Sequence, residues 1–244
     1  MNGTIIGLTA RQLLGQKRTV LMLLFALVPV LIAGAYRLSD ADDARHWAAS
    51  GLNGRLIVGT FLPLAALIFG TAALGTEFED GTAVYILGKP VSRRVVVLSK
   101  LLVAWLATAG VVLVPTIIGT GLVLRGEPRE GIVAGFALAV VAGSLVYCAA
   151  FVWLSIATSR ALIVGLLYAF IWEGVVTRLF SGVRYLSIRQ YTLGIADTVI
   201  DAPRRVYDPR LEAGTAAILA AVVTVGMVAL AIRALRRWEI GEAG

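Results

Sequence analysis

Six stretches of the chain run without a charged residue, save one glutamate, for about the length needed to cross a bilayer: Val20 to Tyr36, Leu56 to Thr76, Leu101 to Leu124, Gly131 to Ser159, Ala161 to Thr177 and Ala213 to Ile232. A helix rises about 1.5 Å per residue and a hydrocarbon core is about 30 Å thick, so about 20 apolar residues suffice. We read all six as membrane-spanning helices of an all-α polytopic protein forming one domain over 1–244. Six spans place both termini on the same side. The fifth run carries the exception, Glu173.

Composition agrees. Of the 244 residues 59% are hydrophobic and 15% charged, against about half apolar and a quarter charged in soluble domains. A soluble globule and a disordered chain are both excluded. Cys148 is the only cysteine, so no internal disulfide scaffold exists. The net charge of +7 reads as basic residues flanking the spans and meeting anionic headgroups. No interleaving of aromatic and basic residues of the kind single strands stack on is present, and nucleic acid is set aside as a partner.

Lys17 and Arg18 precede the first apolar run, which ends in Ala33-Gly34-Ala35, a combination that resembles a signal peptide. Its basic leader is long for that role, and we read the run as a retained span. Upstream, Ile6, Ala10, Leu13 and Leu14 share one side of a helical wheel and Arg11 and Arg18 the other. Residues 1–19 are thus either a helix lying in the interface plane or an extension of the first span.

Lys and Arg divide evenly: eleven lie on the side of the termini and eleven on the other, so the positive-inside rule leaves orientation open. The first helix tips the balance toward cytoplasmic termini, because Arg11, Lys17 and Arg18 precede it while Arg37 and Arg45 follow among Asp40, Asp42 and Asp43. Pro29, Pro63 and Pro115 fall inside spans and are expected to kink them. Gly131, Gly135, Ala139 and Gly143 recur every four residues and line one helix face with small side chains, which marks close packing, within the subunit in preference to a dimer seam.

Equipment for catalysis is missing. His46, the single histidine, is expected in a solvated loop, and no zinc motif or nucleophile elbow is present. Gly15-Gln16-Lys17-Arg18 and Gly88-Lys89-Pro90 come nearest to a P-loop, and neither has the spacing that cradles phosphates. ATP-driven work would therefore need another subunit. Glu173 is the only ionisable residue inside a span. It has two readings, a structural contact with headgroup water or Arg178, or contact with cargo or a coupling ion.

The loop between the second and third spans, residues 77–94, holds the chemistry. Thr82 can cap a short helix, Gly88 can end it, Pro90 blocks its continuation, and Ser92 can cap the next helix before Lys100 anchors the start of the third span at the headgroups. Such a segment would lie across the membrane surface, with mixed acidic, apolar and basic residues suited to docking.

In this loop Glu77, Gly81-Thr82, Leu87, Pro90, Ser92-Arg93 and Lys100 follow in order and spacing the pattern of the ATP-binding cassette type-2 (ABC-2) permease family, which the chain resembles. Length, six spans, the N-terminal interface helix and the extended segment 178–212 extend the resemblance over nearly the whole chain. The resemblance implies that the loop is a cytoplasmic coupling helix and that the termini are cytoplasmic, in a bacterial cytoplasmic membrane. It implies further that the chain pairs with a second permease subunit, identical or homologous, and with two ATPase subunits that bind ATP and Mg. On this reading Glu77, Gly81, Thr82, Leu87, Pro90, Ser92 and Arg93 couple to the ATPase, and the chain itself binds no cofactor and is not an enzyme. The expected function is export of an amphipathic or hydrophobic cargo. The alternatives are a subunit that transmits ATPase motion to an extracytoplasmic partner docked on 178–212, or an ion-coupled carrier using Glu173.

Overall fold

The computed structural model describes residues 7–9, 17–39, 43–79, 92–128, 130–179 and 181–237, and every regular element among them is helical. Helix α1 is Lys17–Leu38. Ala44–His46, Trp47–Phe61 and Leu62–Glu79 join into one long rod, α2. Then come α3, Arg93–Val123, α4, Ile132–Ala157, and the short apolar helix α5, Ala161–Val176. A 3-10 turn at Ser181–Leu186 leads to α6, Ile188–Ala196, and α7, Ala213–Arg237, closes the bundle.

Five of these are long and apolar enough to cross a membrane: Thr19–Leu38, Ala44–Gly75, Arg93–Val123, Ile132–Ala157 and Ala213–Arg237. The fifth expected span is different. Ala161–Val176 falls short of the required length, and the chain resumes as α6 only after the 3-10 turn. Of the N-terminal segment 1–19, residues 7–9 are described and helical, and 17–19 belong to α1.

The second span corrects the sequence reading most. It begins at Ala44, twelve residues before Leu56, and His46 lies in the helix, not in a loop. Asp43, held in the left-handed region at φ 67°, opens it, its carboxyl accepting from the His46 backbone N–H at 3.3 Å. Arg45 and Arg55 ended the charge-free run without ending the helix, because Arg55 is exposed and Arg45 pairs with Glu130 at 2.9 Å. From Trp47 to Phe61 the helix is wound as a π-helix, with i→i+5 bonding continued by the Leu62 N–H on the Ile57 carbonyl and, between side chain and backbone, by Asn53 on Ala48 at 2.8 Å. Pro63 stands one residue into the α-helix that follows.

Helix α4 is the axis of the bundle, packing against α2, α3, α6 and α7. Its stripe of small residues does what the spacing implied, inside the subunit. A Cβ on Gly143 would lie 2.4 Å from Thr192 Oγ1, one on Gly135 2.7 Å from the Ala196 carbonyl oxygen, and one on Gly131 2.2 Å from the Val199 carbonyl oxygen. The occupant of the groove is therefore α6 and the turn after it. On the far side Gly194 of α6 lets Ala216 of α7 approach. In a bilayer such close backbone contact replaces the hydrophobic drive that holds soluble cores. Large apolar side chains such as Leu31, Ile163 and Val225 remain exposed for lipid.

The loops gather at two ends. At one, Glu130 pairs with Arg45 and its carbonyl accepts from the Asp201 N–H at 3.0 Å, while His46 Nδ1 lies 3.2 Å from the Arg205 carbonyl. Tyr36 and Trp47 stack there with centroids 3.9 Å apart. Tyr207 is buried at the same end and donates to the Leu193 carbonyl. Burial, reinforced by Asp197, holds its phenol well above the ordinary value. The start of α1 and the end of α7 lie at the other end. Cys148 is fully buried, so single cysteines at exposed Ser92 and Asp208 give a clean test. A membrane-impermeant maleimide should label Ser92→Cys and Asp208→Cys from opposite sides of a sealed vesicle, and labelling from one side would overturn this arrangement.

Candidate functional site

The residues picked out around the second loop are only partly within the described chain. Glu77 belongs to the last turns of α2, whereas Gly81, Thr82, Leu87 and Pro90 lie outside the described residues. Ser92 precedes α3 in an extended conformation, φ −64° and ψ 137°. Its carbonyl accepts from the Val95 and Val96 N–H groups at 2.9 and 3.3 Å, but its side chain makes no capping bond, contrary to expectation. Arg93 opens α3 and is half-buried.

Lys100 requires a correction. Expected at the headgroups, it is 1% exposed, and its ammonium donates to the Ala73 carbonyl at 2.7 Å. The helix starts at Arg93, so Lys100 stands two turns inside it, where an unpaired charge would be costly and a carbonyl of α2 relieves it. It fastens α2 to α3.

Glu173 is also turned the other way. It is 2% exposed and points into the bundle. Tyr147 of α4 donates to its Oε2. Its Oε1 accepts from the Tyr168 hydroxyl at 3.0 Å and from the Arg189 backbone N–H at 3.2 Å. The last donor belongs to the first turn of α6, capped by Ser187, so the carboxyl sits where the helix dipole favours an acceptor. The Arg189 guanidinium meanwhile donates to the Gly54 carbonyl at 2.8 Å, reaching the π-wound part of α2.

One side chain thus ties α4, α5 and α6, and Arg189 extends the tie to α2. The winding makes this possible. Tyr168 and Glu173 are five apart, about 140° around an α-helix, but Tyr168–Val176 is a π-helix, in which residues five apart stack. A 3.6-residue wheel could not pair them. Tyr168 was missed for that reason, and Tyr147 and Arg189 because each meets Glu173 from another helix; the available signal was a tyrosine in the same apolar run as the one carboxyl group.

Five helices long and apolar enough to cross a bilayer, with Lys100 and Glu173 hydrogen-bonded between helices, define an integral membrane protein. The family model described as ABC-2 family transporter protein matches residues 16–184, and the chain belongs to that family. No curated protein matches it. Membership makes the chain a permease component, not the ATPase, and implies association with ATP-binding cassette ATPase subunits. The match takes in the second loop, Tyr147, Tyr168 and Glu173, and stops short of α6 and Arg189.

Proposed function

We propose that the chain is the six-passage permease subunit of an ATP-driven exporter, acting with a second permease subunit and two ATPases, with both termini in the bacterial cytoplasm. The observation that carries this reading is family membership over 16–184 in a chain without its own P-loop. The fifth passage is made in two pieces, α5 from the termini end and α6 completing it, with Glu173 holding the break. ATP-driven closure of the partner ATPases presses on Glu77, Gly81, Thr82 and Leu87. Pro90, Ser92 and Arg93 carry the push into α3, and Lys100 transmits it to α2 through Ala73.

The reading of the cargo as amphipathic or hydrophobic is supported by an apolar cavity of about 350 Å³ between α4, α5, α6 and α7, walled by Phe151, Trp153, Tyr168, Tyr191 and Met227. The ion-carrier reading is less apt, since both carboxyl oxygens of Glu173 already accept bonds from within the chain.

Two substitutions test the coupling site. Leu87→Asp places a charge in the proposed docking contact, and Gly81→Val replaces the smallest residue of that contact by a β-branched one. Each should lower copurification of the ATPase by roughly tenfold, about 1.4 kcal/mol, with normal membrane insertion. Fully coupled ATP turnover by both variants in proteoliposomes would overturn the site.

A further inference from the structure

At the end of the bundle away from the termini, α2, α6 and residues 204–210 enclose a cavity of about 650 Å³. Five arginines line it, Arg55, Arg189, Arg204, Arg205 and Arg210, and a single acid, Asp208. Arg204 is paired with Asp197 at 3.2 Å and with Asp208 at 3.8 Å. Among the described residues Arg55, Arg205 and Arg210 form no ion pair.

Guanidinium groups crowded around one concavity repel each other, and low-dielectric walls focus their field into it. An anion seated there relieves that repulsion. Gln190 adds a second observation: it is 5% exposed, lines the cavity, and its amide oxygen has no hydrogen-bond partner. The wall therefore offers an acceptor for a ligand hydroxyl beside donors for a ligand anion. The stacked Tyr36–Trp47 pair lies at the same end, and such aromatic rings settle at the headgroup level of a bilayer.

We propose that this basin binds a phosphate ester that bears a hydroxyl group. Planar guanidinium forks match phosphate oxygens two at a time, and phosphate carries more charge per group than a carboxylate once it is a monoester. The hydroxyl of the ester meets Gln190. Arg189 connects the basin to the Glu173 tie through its own backbone N–H, so an occupant of the basin bears on the start of α6. The proposal does not depend on which side of the membrane the basin faces.

The test uses the full chain in phosphatidylcholine nanodiscs. Inorganic phosphate and glycerol 3-phosphate are titrated by calorimetry, and retention of phosphatidylglycerol from mixed discs is read by native mass spectrometry. Arg205→Gln/Arg210→Gln, two exposed positions, should weaken binding roughly tenfold or more with an unchanged unfolding temperature. Arg125→Gln, an exposed arginine at the same end but outside the cavity, should leave binding as in the wild type. Binding of the soluble probes assigns a free phosphate ester, and selective phosphatidylglycerol retention without it assigns a lipid headgroup; either supports the site. Equal binding by the double variant and Arg125→Gln, or no phosphate probe of either kind binding the wild type, overturns it.

Discussion

Gly135→Val is expected to expel α6 from its groove on α4 and to collapse the yield of folded protein. The added Cβ would stand 2.5 Å from Ile200 Cγ1 and 2.7 Å from the Ala196 carbonyl oxygen. The side chain of Ile200 can rotate away, but the Ala196 oxygen is backbone at the end of α6 and yields only if the helix shifts. Overpacking of a tight contact costs about 1–3 kcal/mol, and more where backbone must move. We expect about 3 kcal/mol or more, measured by unfolding in mixed micelles. Gly121→Ala, whose new methyl meets nothing within 4 Å, is the control and should stay close to the wild type. A Gly135→Val protein as stable as Gly121→Ala would mean that α6 is not seated on the stripe.

Glu173→Ala should be nearly as damaging, for a polar reason. It strands the Tyr147 and Tyr168 hydroxyls and the Arg189 N–H in a buried site, and a buried donor left without a partner costs about 1–3 kcal/mol. Hydrogen bonds within membrane bundles average nearer 0.6 kcal/mol because the tyrosines find other acceptors. Over three donors those per-bond bounds span roughly 2 to 9 kcal/mol, and near the lower end, as membrane bundles favour, about 3 kcal/mol is expected. Glu173→Gln keeps an acceptor oxygen and the volume, and should cost about 1 kcal/mol. If Glu173 is a tie, Gln restores ATP-driven transport along with stability. Loss of transport in a stable Glu173→Gln protein would instead assign the carboxyl group to cargo or ion contact.

Much of the architecture was legible because bilayer thickness is a simple constraint. Five apolar runs matched long helices, with ends displaced where charges stayed within a helix: Arg45 and Arg55 in α2, and Arg93, Arg94 and Lys100 in α3. A rule that ends spans at charges assumes that every charge faces lipid. Arg55 lines a cavity and Lys100 rests on a carbonyl, so neither had to leave the helix. The four-residue recurrence of Gly131, Gly135, Ala139 and Gly143 correctly marked a close intrachain contact, because lacking a large side chain is a local property that needs no knowledge of the partner.

The identity of that partner is another matter. That α6 fills the groove, that Glu173 faces Tyr147 26 positions earlier, and that Arg189 reaches Gly54 135 positions away depend on the chain turning at Ser181–Leu186 between α5 and α6 and on π-winding in two helices. Neither leaves a period in the sequence that a 3.6-residue wheel detects. The amino-acid sequence determined that this chain lives in a membrane, relies on helices, carries no P-loop motif and resembles ABC-2 permeases, since length, hydropathy and short motifs are local quantities. Only the tertiary structure decided which buried polar groups meet and where five arginines converge, because those contacts join residues whose separation is set by packing, not by the spacing of residues along one helix.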